Sequence, residues 1–115
     1  MNRAGVIDLD HLDKYVAGDT ALRDEILVIF SEQIETLKEQ ISETTNNEDW
    51  KFVTHSLKGA ARGVGAWALG DLSEEAEALI GDMPAKNEKR AAILVSIRRE
   101  ITAAIDDVKR LRGLA

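Results

Sequence analysis

An all-helical fold follows from three features of the 115-residue chain. Apolar residues recur at steps of three and four along most of its length, no stretch alternates at the period of a strand, and Gly18, Gly65, Gly81 and the single proline, Pro84, fall where the periodic stretches end. The expected architecture is an antiparallel up-down four-helix bundle with a short extra N-terminal helix. That short element runs from about Asp8 to Val16. Asp19 can cap a long helix with Leu22, Ile26, Ile29, Phe30, Ile34, Leu37 and Ile41 on its stripe, which stops near Thr44-Thr45-Asn46-Asn47. The next helix is expected from Asn47 or Glu48, burying Trp50, Val53, Leu57, Ala60 and Val64 until Gly65 weakens it. A further one begins near Trp67, presents Leu69, Leu72, Ala76, Leu79 and Ile80, and ends at Gly81 and Pro84. The last, about Glu88 to Arg112, has the cleanest stripe: Leu94, Ile97, Ile101, Ala104, Val108 and Leu111.

Composition narrows the function classes. Residues 1–115 make one domain's worth of chain, too short for the sheet-based scaffold of a nucleotide-binding kinase, a dinucleotide enzyme or a barrel. With 44% apolar and 31% charged residues the chain is expected to fold, and it has no long apolar run of the kind that spans a membrane. Burying each Leu, Ile or Val side chain is worth about 1.5 to 3 kcal/mol before chain entropy is subtracted, so no metal or disulfide is needed. The absence of cysteine excludes disulfides and thiolate metal sites. Met1 to Gly5 lack the apolar core of a signal peptide, which places the chain in the cytoplasm, and Met1 with the Asp8-led start is expected of a whole protein. A net charge of −6 disfavours nucleic acid as a partner.

The charge is unevenly spread. From Trp50 to Gly70 there is no Asp or Glu, while Lys51, Lys58 and Arg62 all fall inside. The same window holds Gly59, Gly63, Gly65 and Gly70, three of them in an expected helix, where each costs about 1 kcal/mol relative to alanine. Gly63 and Gly65 are read equally well as helix terminators. Gly59 lies one turn from His55 and suggests a place where something approaches the backbone closely. On a helix His55 sits about 200° from the core positions Val53 and Leu57, so its ring should face solvent, with Lys51, Lys58, Gly59 and Arg62 beside it. Two readings stand on this geometry: an ordinary solvated histidine, and an imidazole that receives a dianionic phosphoryl group, with cations supplying charge and glycine supplying room.

The run His55-Ser56-Leu57-Lys58-Gly59-Ala60-Ala61-Arg62-Gly63-Val64-Gly65 closely resembles the signature of histidine-containing phosphotransfer domains, H-x-x-K-G with a further glycine downstream. The Asp8-Leu9 start, the long second element and the Leu72 to Leu79 segment are similar to that family's layout. The resemblance implies a single-domain phosphorelay intermediate in which His55 is phosphorylated, Lys58 is its electrostatic neighbour and Gly59 gives clearance. It also implies a Glu or Gln 22 residues after the histidine that hydrogen-bonds the ring; Glu77 stands there. By itself, Glu77 reads equally as part of a solvated acidic run with Glu74 and Glu75. As an acceptor from Nδ1–H it would leave the Nε2 lone pair as nucleophile.

The implied partners are response-regulator receiver domains and a hybrid histidine kinase, with Mg²⁺ and the acidic pocket belonging to the receiver and no cofactor on this chain. Lys51, Arg62 and Gly65 are the expected docking residues on the histidine's helix, giving fast, salt-sensitive association, and the N-terminal element with Leu9, Leu12 and Val16 is the expected apolar rim. A monomer is expected. Two other classes fit the residues: a helical adaptor whose histidine is incidental, and a dimeric histidine-kinase phosphoacceptor domain, which would follow its histidine with Glu or Asp where this chain has Ser56. His11, among Asp8, Asp10 and Asp13, lacks the spacing of a metal set and is read as surface; Trp50 and Trp67 are read as packing anchors.

Overall fold

Three short polar side chains start the first three helices. Asp8, Asp19 and Asn46 have extended backbones, and each accepts a hydrogen bond from the amide three residues on, at His11, Leu22 and Asp49 respectively. The computed structural model describes residues 6–114, so Met1 to Gly5, read above for a leader, lie outside the described residues. Among those described the chain forms five helices and no strand: α1 Leu9–Val16, α2 Thr20–Glu39, α3 Asn47–Val64, α4 Trp67–Glu77 and α5 Lys86–Leu111. Left-handed residues follow the first and third of these, Ala17 at φ 50° and Gly65 at φ 79°.

The helices close a ring in which α3 packs against α2 and α4, and α5 against α4 and α2. The short α1 lies across α2 and α3, and the whole measures 47 × 24 × 21 Å. The interior holds Leu27, Phe30, Ile34 and Leu37 from α2, Trp50, Val53, Leu57, Ala61 and Val64 from α3, Leu69 and Ala76 from α4, and Leu94, Ile97, Ile101, Ala104 and Val108 from α5. The four-helix bundle with a short N-terminal helix is therefore the observed fold.

Details differ from the sequence pattern. The α2 stripe runs through Leu27 rather than Leu22 and Ile29; Ile29 is 63% exposed. Ile26 to Phe30 is a continuous apolar run, so the phase of the stripe is ambiguous until neighbours select it. On α3 Ala61 is fully buried and Ala60 only half-buried. The α4 helix ends at Glu77, leaving Leu79 and Ile80 in the connection to α5, because its last turn tightens: the amides of Ala78 and Leu79 donate to the carbonyls of Glu75 (3.3 Å) and Ala76 (3.0 Å).

Arg90 holds the connection between α4 and α5, which begins at Lys86, ahead of the expected Glu88. Only 1% exposed, it donates from Nε to the Leu79 carbonyl (2.9 Å), and from its two Nη atoms to the Thr45 carbonyl (2.6 Å) and Asn47 Oδ1 (2.8 Å). Its guanidinium carbon lies 4.2 Å from the centre of the Trp50 ring. The Trp50 indole in turn donates to the Ala76 carbonyl (2.7 Å). Two loops and three helices are tied through this one cation, whose guanidinium burial holds below the ordinary arginine range. At the far end the buried Asp107 accepts from the amides of Val6 (2.8 Å) and Ile7 (2.9 Å), fastening the segment before α1 to α5.

Candidate functional site

The outer face of α3 carries His55, whose side chain is 68% exposed while Val53 and Leu57 on either side are buried. Glu77, the last residue of α4, reaches across to it: Glu77 Oε2 lies 2.9 Å from His55 Nδ1, and Oε1 lies 2.6 Å from Lys58 Nζ. The glutamate side chain is only 19% exposed. The Lys58 ammonium, and to a lesser degree His55, hold its carboxyl below the ordinary glutamate range against the opposing effect of partial burial. An ionised carboxylate can only accept, so His55 donates from Nδ1–H, which in the neutral ring leaves the lone pair on Nε2.

Close packing of α4 on α3 makes that reach feasible, and at Gly70 the Arg62 side chain lies close against the α4 backbone. A Cβ built there would stand 2.9 Å from Arg62 Cγ. Gly59 and Gly63 are different: both are exposed, and a Cβ at either meets nothing within 4 Å. The surface one turn beyond His55 is bare for no internal reason.

Contact between the helices changes the electrostatics expected from the acid-free window. Arg62 pairs with Glu74 (2.8 Å) and Asp71 (3.3 Å), which raises its already high pKa, and Lys58 pairs with Glu77. Acids of α4 lie across two of the three cations, leaving exposed Lys51 with no ion pair to another described residue. The cationic face of the linear sequence is thus largely balanced in space.

Two residues expected at a partner surface lie elsewhere. Gly65 is buried at the end of α3 with φ 79°, and a Cβ there would stand 2.7 Å from the Asp8 Cβ and 3.1 Å from its carbonyl oxygen; it lets the chain before α1 pack, with the Asp8 amide donating to the Gly65 carbonyl (3.1 Å). Leu12 is in the core, as is Val16, because α1 turns both toward α2 and α3; Leu9 is half-buried. The large apolar side chain that does stand beside the histidine is Phe52, 64% exposed and one turn before His55 on the same face. Its position three residues before His55 in the acid-free window was the available signal. Trp67 is 43% exposed and no core anchor: its indole donates to Asp8 Oδ2 (3.0 Å) and its ring lies edge-on to His11 (4.8 Å), which also meets Tyr15. Among the described residues no cluster of three or more His, Asp or Glu side chains is placed to hold a metal ion.

Among curated proteins no sequence matches the chain significantly. Among solved structures, the chain is similar to the histidine phosphotransferase ShpA from Caulobacter crescentus, with 33% sequence identity, a TM-score of 0.71, and coverage of 96% of this chain and 100% of that one. The family model for the Hpt domain matches residues 25–111. His55, Lys58, Glu77 and the four helices of the bundle fall almost wholly within that span, and the chain belongs to the histidine phosphotransfer (Hpt) domain family.

Proposed function

We propose that the chain relays a phosphoryl group between aspartyl phosphates on receiver domains by carrying it on His55 Nε2. The observation that carries this reading is the Nδ1 contact to Glu77, which fixes the tautomer and leaves the nucleophilic nitrogen of an exposed ring facing outward. In the loading step the Nε2 lone pair forms an N–P bond as the P–O bond to the aspartyl carboxylate breaks, its electron pair leaving with that carboxylate. The ring then bears positive charge, which the Glu77 carboxylate stabilises at Nδ1–H. Unloading runs the same exchange in reverse onto the next receiver.

This chain's part is to present, orient and clear the way. Gly59 leaves room one turn after the ring, Phe52 offers an apolar contact, and exposed Lys51 stands one turn before it. Mg²⁺ and the acidic pocket belong to the receiver, so the chain is a carrier without turnover of its own, working as a monomer with receivers and a hybrid histidine kinase. Among the described residues no helix is long and apolar enough to cross a membrane, and we assign the chain to the cytoplasm.

Incubation with phosphorylated receiver domains tests this. Acid-labile, base-stable label is expected on the wild type and none on His55→Gln. Label on the variant, or none on the wild type with any receiver, defeats the proposal.

A further inference from the structure

Glu77 does not face His55 alone. Its second oxygen holds Lys58 at 2.6 Å, a shorter contact than the one it makes to the ring. Lys58 lies one turn after His55 on the same helix, and its side chain is 22% exposed, so its ammonium can turn from Glu77 toward solvent. Arg62 is a further turn away and already engaged by Asp71 and Glu74. Lys51, one turn before His55, pairs with no other described residue, so Lys58 is the cation on this face whose partner, Glu77, also holds the ring.

Resting on the assignment of His55 as phosphoacceptor, we infer that Lys58 is an exchangeable counter-ion. Glu77 holds it in the free carrier, the phosphoryl oxygens take it when His55 is loaded, and Glu77 thereby limits how tightly the phosphoryl group is retained. Charge dictates the exchange. In the free site Lys58 and Glu77 balance. A phosphoryl group on Nε2 adds close to two negative charges one turn from an ammonium that Glu77 would otherwise monopolise, so the two anions compete for Lys58. Glu77 keeps the Nδ1–H bond throughout; its other oxygen gives up Lys58. A carrier built this way neither traps the group nor leaves it unstabilised. Replacing Glu77 by glutamine preserves an acceptor for Nδ1–H and removes the competitor.

The test loads the purified chain with phosphoramidate, whose N–P bond breaks with release of ammonia as the bond to Nε2 forms, and follows the phosphoryl signal by ³¹P NMR as the pH is varied. In Glu77→Gln the second ionisation of the phosphoryl group should fall by about 0.2 to 0.7 of a pH unit relative to wild type, the range expected for freeing one partly exposed cation. In Lys58→Met it should rise. Adding Glu77→Gln to Lys58→Met should then produce less than half the shift it causes alone, because the cation to be released is gone. Equal shifts in the two backgrounds would show a simple loss of negative charge and overturn the exchange, while leaving His55 as acceptor. The ¹⁵N resonance of Lys58 Nζ in the wild type gives a reading independent of the variants: it should move on loading, and an unmoved resonance overturns the inference. A phosphohistidine signal that persists in His55→Gln overturns the acceptor assignment itself.

Discussion

Gly59 and Gly65 belong to one helix and its cap, yet their surroundings are opposite. Gly59 is exposed with open space where a Cβ would be, whereas Gly65 has a left-handed backbone and the Asp8 main chain against it. Gly59→Ala should stabilise the fold by about 0.5 to 1 kcal/mol, since alanine is the better helix former and meets nothing. It should also slow transfer from a receiver more than transfer from phosphoramidate, because only the bulky donor needs the clearance. Gly65→Ala should cost about 1 to 3 kcal/mol, from positive φ and overpacking together. Urea unfolding of both variants checks the two signs. The site carboxylate makes a third prediction. The folded-state pKa of Glu77 is depressed, so its contribution is present above the ordinary glutamate range and is lost as the pH falls through the depressed value. A ¹³C titration of its carboxyl should show a midpoint below that range, and Lys58→Met should move the midpoint upward.

Helices α3 and α4 act as a unit, and Arg90 on α5 supports the end of that unit where Glu77 sits. Arg90 bonds the Leu79 carbonyl just past α4 and lies against Trp50, whose indole holds the Ala76 carbonyl next to Glu77. Arg90→Met should lower stability by about 2 to 4 kcal/mol, because it strands the Thr45 and Leu79 carbonyls, and thermal unfolding would show it. It should also weaken the Glu77 contact, visible as a change in the His55 ¹⁵N tautomer pattern. At this scale the sequence was legible in part. Period and caps placed five helices in order, because both are local properties of the chain. The stripe of α2 was misphased at Leu22 and Ile29 because five consecutive apolar residues carry no phase. Arg90 sits in the polar run Lys86-Asn87-Glu88-Lys89-Arg90 and looks like any surface cation until the loops that solvate it are folded. His55 and Lys58 share a helix and were visible as a pair; Glu77 came from the family pattern. The closing of Asp71 and Glu74 over Arg62 depends on how α4 lies on α3, which no window of sequence expresses.

The whole molecule carries −6, and its longest acid-free stretch is mostly neutralised by the neighbouring helix. The proposed docking therefore rests less on broad charge attraction, expected from the linear sequence, than on bare backbone, Phe52 and Lys51, which pairs with no other described residue. Association with a receiver should weaken only about two- to threefold between 50 and 200 mM salt, as for one or two screened pairs. Phe52→Ala should weaken it about tenfold, as removal of a central aromatic contact does. Titration calorimetry at the two salt concentrations separates these. A tenfold loss with salt and none with Phe52→Ala would restore the electrostatic picture. Phosphoryl transfer through His55 requires the group to sit on one ring nitrogen, Nε2. Transfer from a phosphorylated receiver to the ¹⁵N-labelled chain, followed by long-range ¹H–¹⁵N correlation of the His55 ring, reads this directly. The prediction is phosphorus on Nε2 with hydrogen retained on Nδ1; phosphorus on Nδ1, or on any residue other than His55, would contradict it.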